Sequence, residues 1–190
     1  MAMESRDTAA VNILGCKVHL VDMPAALEAV TQMIDQAQGC KQVVTLNAEI
    51  IYQAGQQDEL RRIINKADLV TADGIGTVWA ARTLGCPQKE RVSGIDLLMN
   101  ICSRAAVRGW KVYLLGGAPG VALKAARNLE RLYPGLTVCG CRDGYFPIQD
   151  EPDIIAAINA ESPHILFAAL GAPKQEYWLS RHREILKVPV

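Results

Sequence analysis

Four short clusters of polar and glycine residues follow apolar runs of this sequence, and they contain the side chains best suited to chemistry. They lie at residues 45–49, 71–76, 114–120 and 170–176. Between them they offer a hydroxyl, an amide, a carboxylate, glycine-rich turns and a lysine. Such groups hold sugars and phosphates and can assist proton transfer. The clusters therefore indicate a site for a polar small molecule, although each also has a plain structural explanation.

The first two clusters carry the candidate sugar ligands and the candidate catalytic carboxylate. Thr45 and Asn47 end an apolar run, where they could hydrogen-bond a sugar or a nucleotide, or Asn47 could simply cap the next helix. Asp73 follows the apolar residues 69–72 and precedes Gly74 and Gly76. A carboxylate in that position could be a general base, a metal ligand or a helix N-cap.

The other two clusters are candidate phosphate contacts. Gly116 and Gly117 lie between an apolar run and a helical pattern, where glycine lets a phosphate approach a helix N-terminus or simply forms a tight turn. The dinucleotide fingerprint G-x-G-x-x-G fails, because Ala118 stands at the second glycine counted from Gly116. Counted from Gly74, it fails again at Trp79, and no Walker A loop is present.

In the fourth cluster, Gly171 ends an apolar strand, and Lys174 and Gln175 fall in the first turn of the next helix, where their tips could reach over the sheet edge. Lysine is unfavourable near the positive end of a helix dipole, which hints at function, although an isolated lysine is more often a solvated surface residue.

Two loops add further candidates. Arg91 precedes a helix start and could pair with a phosphate or with a carboxylate in solvent. Asp143 and Tyr145 flank Gly144 after a predicted strand, and this segment taken alone indicates a plain turn. The cysteines lack C-x-x-C spacing and histidine partners, so no metal site is predicted.

Strand-like apolar runs alternate with helical patterns along the whole chain. This alternation predicts an α/β fold with a mostly parallel, doubly wound, Rossmann-like sheet and helices on both faces. Sheets of this kind bind ligands at the carboxyl ends of their strands, which is where the four clusters fall. We expect residues 11–190 to form a single domain, and residues 1–10 to be disordered or left over from cloning.

Composition narrows the classes of function. Twenty basic and twenty acidic residues give a formal net charge of zero, which argues against bulk electrostatic binding of nucleic acid. Residues 1–10 lack the apolar stretch of a signal peptide, and no apolar run approaches the roughly 20 residues of a membrane helix. The sequence therefore predicts a cytoplasmic protein, with any membrane contact peripheral.

Taken in order, the clusters resemble the WecG/TagA/CpsF family of bacterial glycosyltransferases, and most closely its N-acetylmannosaminyltransferase branch of wall teichoic acid and cell-wall synthesis. The resemblance covers about residues 13–186. The matching segments are 45–50 (TLNAEI), 72–76 (ADGIG), 90–94 (ERVSG) with Asp96 and Leu97, 114–117 (LLGG), 143–145 (DGY) and 171–176 (GAPKQE).

The resemblance implies an inverting transfer of N-acetylmannosamine (ManNAc) from UDP-ManNAc to undecaprenyl-diphosphate-linked GlcNAc, with no metal or other cofactor. Asp73 would then be the general base, and Arg91 would contact the acceptor or its diphosphate. Thr45 and Asn47 would line the sugar pocket, and Gln175 would help hold the donor. The nucleotide would be framed by Gly116, Gly117, Asp143, Tyr145, Gly171 and Lys174.

Family members usually continue for some fifty residues beyond the position matching Val190, with a basic tail that is thought to touch the membrane. The resemblance thus predicts a chain truncated before that tail and peripheral to the inner face of the cell membrane. A homo-oligomer is expected on general grounds, since dimers are the commonest state of soluble oligomers. The alternatives are a nucleotide-sugar-binding module without turnover, a related donor such as UDP-ManNAc uronic acid or UDP-glucose, an NAD-dependent oxidoreductase, and a self-associating scaffold.

Overall fold

The computed structural model describes residues 9–190 of the chain, and this part contains seven β-strands and eight α-helices. The predicted N-terminal segment, 1–10, therefore lies outside the described residues except for its last two positions, and Ala10 already belongs to a strand. The strands are β1 (Ala10–Ile13), β2 (Cys16–His19), β3 (Val43–Leu46), β4 (Leu69–Ala72), β5 (Lys111–Gly116), β6 (Thr137–Arg142) and β7 (Ile165–Ala169). The helices are α1 (Met23–Gln36), α2 (Ala48–Gln56), α3 (Asp58–Lys66), α4 (Ile75–Thr83), α5 (Gly94–Arg108), α6 (Val121–Leu132), α7 (Glu151–Glu161) and α8 (Lys174–His182).

The chain divides into two compact units. The first contains the residues up to Ala26 together with Val43–Gly94, and the second contains Leu27–Gln42 together with Ile95–Val190. Helices α1 and α5 each begin in the first unit and continue in the second.

The first unit contains a parallel strand pair and an antiparallel hairpin. Strands β3 and β4 run parallel, with Thr45 opposite Thr71 and Leu46 opposite Ala72. The β1–β2 hairpin turns at residues 14 and 15, whose positive φ angles of 49° and 90° suit a tight hairpin turn. The hairpin reaches β4 through a side chain, because His19 Nδ1 accepts a 2.8 Å hydrogen bond from the Val70 amide.

The second unit contains a three-stranded parallel sheet in the order β6-β5-β7. The chain leaves β5 in one direction to form β6 and then crosses to the other side of β5 to form β7. This reversal makes the carboxyl ends of β5 and β7 the topological switch point of the sheet, which is the usual ligand position in open α/β sheets.

Helices cover both faces of this second sheet. On one face, α7 and α8 bury a core built from Tyr113, Leu115, Ile154, Ile155, Ile158, Leu166, Trp178, Leu186 and Val188. On the other face, α5 and α6 flank an apolar groove of about 340 Å³ whose floor includes Leu114 and Phe167. Alternation of inward side chains along β5 produces this division, because successive residues of a strand point to opposite faces. The predicted α/β class with parallel, doubly wound strands is confirmed.

Several predicted boundaries shift for local reasons. Proline is favoured in the first turn of a helix, so Pro119 predicts a helix start, but α6 begins at Val121, because Gly120 adopts a left-handed φ of 82° just before it. The helical pattern of residues 48–66 predicts a break near Gly55, and the chain turns close by, at the extended residue Gln57. The helical pattern of residues 174–186 predicts a helix of that length, but α8 ends earlier, at His182.

Residues 188–190 (VPV) predict the opening of another strand, but they do not form a regular strand in the structure. The Val190 carbonyl nevertheless accepts a 2.8 Å bond from the Leu166 amide of β7, and the Pro189 carbonyl accepts one from Lys41. No helix within residues 9–190 is long and apolar enough to cross a membrane.

Candidate functional site

The predicted sugar and catalytic residues of the first unit gather at the carboxyl ends of β3 and β4. Asn47 caps α2, since its Oδ1 accepts a 3.0 Å hydrogen bond from the Ile50 amide. The side chain also lies beside the next strand end, because a Cβ built on Gly74 would lie 3.9 Å from the Asn47 Cβ. Capping thus fixes the Asn47 side chain next to the segment that carries Asp73.

Asp73 does not cap the helix that follows it. Helix α4 has Gly74 at its N-cap position and no side-chain cap. Instead, Asp73 Oδ2 accepts a 3.1 Å hydrogen bond from the amide of Gly94, the first residue of α5. A carboxylate at a helix start is favoured by the unpaired amides and by the helix dipole. The backbone of Asp73 is held as well, since its amide donates to the Leu46 carbonyl at 2.9 Å.

The loop that leads into α5 is hydrogen-bonded to β4. The Val92 amide donates to the Ala72 carbonyl at 2.9 Å, and the buried Thr71 hydroxyl donates to the Val92 carbonyl at 3.0 Å. Thr45 is nearby, because a Cβ on Gly94 would lie 3.0 Å from its hydroxyl oxygen. The structure therefore brings Thr45, Asn47 and Asp73 together at the carboxyl ends of β3 and β4.

The loop that carries Arg91 is held by two long side chains. The buried Gln88 donates from Nε2 to the carbonyls of Val21 and Glu90, both at 2.8 Å. Arg82 of α4 donates to the carbonyls of Gln88 at 2.9 Å and Lys89 at 2.7 Å. Arg91 itself is exposed at the end of this fixed loop.

A cleft of about 630 Å³ opens at the carboxyl ends of the strands in the second unit. It includes most of the predicted nucleotide contacts, and its lining is Gly117, Ala118, Gly144, Tyr145, Phe146, Pro147, Ala169, Leu170, Gly171 and Lys174. Gly116 and Asp143 were predicted as nucleotide contacts but are not part of the lining. Gln175, which was predicted to help hold the donor, does not line the cleft either.

Gly116 lets the ends of β5 and β7 close tightly together. Its φ is 136°, and a Cβ there would lie only 2.2 Å from the Ala169 carbonyl oxygen. The Gly117 amide donates to that same oxygen at 3.1 Å, and the Gly117 carbonyl accepts from the Gly144 amide at 2.9 Å. These contacts join the segments after β5, β6 and β7 into one floor for the cleft.

Lys174 brings a positive charge to this cleft. Its Nζ donates to the Gly144 carbonyl at 3.2 Å and lies 5.2 Å from the centre of the Phe146 ring, within the range of a cation–π contact. Asp143 shapes the loop, because its Oδ1 accepts a 3.1 Å bond from the Tyr145 amide. The Tyr145 side chain remains 76% exposed and is therefore available to stack on a ligand.

Gln175 lies one residue further along α8, with its amide bonded to the Gly171 carbonyl at 3.0 Å. Its side-chain Nε2 donates to Glu176 Oε1 at 3.0 Å. Glu176 is buried, with 3% of its surface exposed, and this burial raises the pKa of its carboxyl group. The structure thus links Gln175 to a carboxylate that the sequence did not single out.

Sequence reasoning missed the supporting residues Arg82, Gln88, Phe146 and Glu176. Gln88 bonds Val21 and Phe146 contacts Lys174, which are far away in sequence, and Arg82 bonds the carbonyls of a nearby loop, so local residue patterns do not show these contacts. Glu176 alone carried a signal, since it directly follows two singled-out polar residues in a first helical turn. No cluster of three or more potential metal ligands occurs in the part of the chain that the structure describes.

Comparison with known proteins identifies the family of this chain. The family model described as glycosyl transferase WecG/TagA/CpsF family matches residues 11–190. The chain belongs to this glycosyltransferase family. A Staphylococcus aureus protein named N-acetylglucosaminyldiphosphoundecaprenol N-acetyl-beta-D-mannosaminyltransferase is 33% identical over 184 residues, covering 96% of this chain and 72% of the relative.

A Bacillus spizizenii protein of the same name is 31% identical over 155 residues, or 82% of this chain. The chain spans 59% of the length of that relative. Thr45, Asn47 and Asp73 in the first unit, and the glycines that line the cleft in the second, lie within the segments that carry the resemblance to this family.

Proposed function

We propose that this chain is the sugar-transferring part of a UDP-ManNAc-dependent glycosyltransferase. The donor sugar is passed with inversion to undecaprenyl-diphosphate-linked GlcNAc, a step in teichoic acid and cell-wall polymer synthesis. Membership in the family and the names of two relatives support this choice of reaction. The observation that carries it is the Asp73 carboxylate at the end of β4, held by the Gly94 amide beside Asn47 and Thr45.

The proposed chemistry needs one carboxylate base. The acceptor hydroxyl oxygen attacks the anomeric carbon of ManNAc, and Asp73 takes the hydroxyl proton. The bond from the anomeric carbon to the UDP oxygen breaks as the new glycosidic bond forms, and UDP leaves with the bonding electron pair. A single displacement of this kind inverts the anomeric centre, as in inverting glycoside hydrolysis. UDP needs no general acid, because diphosphate is already a good leaving group.

The cleft of the second unit is the proposed seat of the nucleotide. Its floor offers glycine backbone without Cβ atoms, so a diphosphate can approach closely. Lys174 supplies positive charge for the diphosphate, and exposed Tyr145 can stack on the uracil ring. Arg91, at the end of its fixed loop, would pair with the acceptor diphosphate.

We further propose that the transfer proceeds without a metal ion or other cofactor, and that the protein works at the inner face of the cell membrane as a homo-oligomer. The lipid-linked acceptor named for the relatives supports the membrane location. A formal net charge of zero fits a small-molecule substrate better than nucleic acid.

Replacement of Asp73 by Asn tests the proposal. Asn can still accept the Gly94 hydrogen bond but cannot take a proton, so turnover of UDP-ManNAc with a soluble lipid-diphosphate GlcNAc acceptor should fall about 10²–10⁴-fold. Binding of UDP and the unfolding midpoint should stay unchanged. The matched control is Asp153→Asn, because Asp153 is an exposed carboxylate in the first turn of α7.

The outcomes separate the alternatives. Equal turnover in the wild type and the Asp73→Asn variant would remove Asp73 as the base. UDP binding without turnover of UDP-ManNAc, UDP-ManNAc uronic acid or UDP-glucose would support a nucleotide-sugar-binding module instead. Turnover with one of the other two donors would retain the transferase and correct its sugar.

A further inference from the structure

Glu176 is the only carboxylate buried within residues 9–190, and its surroundings do not explain it as a structural ion pair. Its Oε1 accepts from Gln175 Nε2 at 3.0 Å, while Oε2 is buried with no hydrogen-bond partner in the described part of the chain. Burying a carboxyl group without a cation is unfavourable. The start of α8 offsets only part of that cost through its helix dipole. A group retained against such a cost is a candidate for a functional role.

The hydrogen bond between the two side chains fixes which way the Gln175 carboxamide faces. A carboxamide has an N–H end that donates and a carbonyl end that accepts. Glu176 Oε1 is an acceptor, so it takes the N–H end of Gln175. The Gln175 carbonyl oxygen is then the end left to meet a ligand, and it can receive only a hydrogen-bond donor.

Gln175 lies next to the cleft in the chain, although its own side chain is not part of the cleft lining. It lies in the first turn of α8, between Lys174, which lines the cleft, and the buried Glu176. Its amide is tied to the Gly171 carbonyl at 3.0 Å, and Gly171 also lines the cleft. The backbone position of Gln175 is therefore set by the cleft wall, and Glu176 sets the orientation of its side chain.

We propose that Glu176 is a positioning residue that holds the Gln175 carboxamide with its carbonyl oxygen towards the ligand, so that Gln175 selects a donor sugar bearing an N–H or O–H group at the contacted position. The acetamido N–H of an N-acetylhexosamine is such a group. This inference rests on the proposed UDP-sugar function and adds a specificity device to it. A site that hydrogen-bonds a particular substrate group discriminates strongly against analogues that lack the group.

A cycle of exchanged side chains tests the proposal. The variants are Gln175→Glu, Glu176→Gln and the double variant with both changes. Gln175→Glu puts two carboxyl groups about 3 Å apart and removes the N–H that Glu176 holds, so the affinity for UDP-ManNAc should fall about tenfold. In the double variant, the new carboxamide at position 176 can donate to the new carboxylate at position 175, whose remaining oxygen still faces the ligand as an acceptor. Affinity should return to within about threefold of the wild type.

The single variant Glu176→Gln tests the orientation directly. Its new amide can either donate to or accept from Gln175, so the Gln175 carboxamide is free to turn over. The preference for UDP-ManNAc over UDP should shrink, and the KM for the donor should rise while the KM for the acceptor is unchanged. If Glu176 had only a structural role, Glu176→Gln would change the unfolding midpoint but would not raise the donor KM selectively. Glu161→Gln, at an exposed position in α7, is the control.

Binding is measured by calorimetry with UDP, UDP-ManNAc and UDP-glucose, alongside unfolding midpoints for every variant. The inference is overturned if the double variant binds UDP-ManNAc no better than Gln175→Glu does, or if Glu176→Gln keeps the wild-type preference. A wild-type protein that binds none of the UDP-sugars would instead overturn the proposed function, and this inference with it.

Discussion

At the scale of single residues, the strand-end side chains combine structural and proposed chemical roles. Asn47 was open to two interpretations, and the hydrogen bond from the Ile50 amide confirms the capping one. That bond uses only Oδ1, so the side-chain amide group is not consumed by capping. Asp73 behaves differently, because it binds the start of a helix that lies 21 residues further along the chain. Local patterns predict a cap within three residues and cannot reveal such a distant one.

Glu176 gives a residue-scale prediction about pH. Burial raises the pKa of its carboxyl group above the ordinary value of 4.5, so the folded state keeps this proton to higher pH than the unfolded state does. Well below pH 4.5 the carboxyl group is protonated in both states, so its titration no longer changes the free energy of unfolding. As the pH rises through the raised pKa, the folded state loses that advantage, and the free energy of unfolding falls.

The measurement compares the wild type with Glu176→Gln by chemical denaturation at several pH values between about 4 and 8, the range in which a raised carboxyl pKa would be felt. The difference in the free energy of unfolding, wild type minus variant, should be greatest in favour of the wild type at the acidic end. It should decline as the pH rises and then level off. Because both proteins share all other titrating groups, the contributions of those groups cancel in this difference. A difference that is flat, or that grows with pH, would contradict the raised pKa.

At the scale of secondary-structure elements, the apolar runs were the best guide. The apolar residues 69–72 predict a strand, and they coincide with β4, in which all four residues are buried. The errors arose where a backbone conformation, not a side-chain pattern, sets the boundary. Gly120 in the left-handed region delays α6 past Pro119, and the extended Gln57 separates α2 from α3. Neither conformation is specified by the residue type alone.

The junction of β5 with β7 gives an element-scale prediction. Gly116→Ala would place a Cβ 2.2 Å from the Ala169 carbonyl oxygen at a φ of 136°, so the two strand ends would have to separate. The free energy of unfolding should fall by roughly 3 kcal/mol or more from the combined clash and backbone strain. Affinity for UDP should fall as well, because this junction forms the floor of the cleft.

The matched control is Gly109→Ala. Gly109 also has a positive φ, of 70°, but a Cβ there would meet no atom within 4 Å. This change should cost only about 1 kcal/mol and should leave UDP affinity intact. If the two variants lost equal stability, then φ strain alone would account for both, and the close approach of β5 to β7 would not be the reason for Gly116.

At the scale of the whole molecule, the order of elements along the chain predicted the fold class but not the strand order. Alternating apolar runs and helical patterns require parallel strands joined by crossovers. They do not say that β5 lies between β6 and β7, because strand order is decided by pairings between residues far apart in sequence. The switch point beside Gly116 could therefore be recognised only from the structure, although the resemblance had already pointed to Gly117, Tyr145, Gly171 and Lys174, which line the cleft.

The cleft leads to a whole-molecule prediction about ligands. A ligand that binds only the folded state raises the free energy of unfolding of the protein. The increase depends on the ratio of the free ligand concentration to Kd and is about 2.7 kcal/mol at a hundred times Kd. UDP should therefore raise the unfolding midpoint by roughly 5–10 °C for a chain of this size. NAD should give no shift, since Ala118 and Trp79 break both possible dinucleotide fingerprints.

Thermal unfolding with UDP, uridine and NAD, each over a range of concentrations, checks this prediction. Uridine should shift the midpoint less than UDP, because Lys174 and the glycine floor are suited to the diphosphate. Lys174→Met should reduce the UDP shift without affecting the uridine shift. An equal response to NAD would favour the oxidoreductase alternative over the transferase. If none of the three compounds shifted the unfolding midpoint, the proposal that this cleft binds a nucleotide would be wrong.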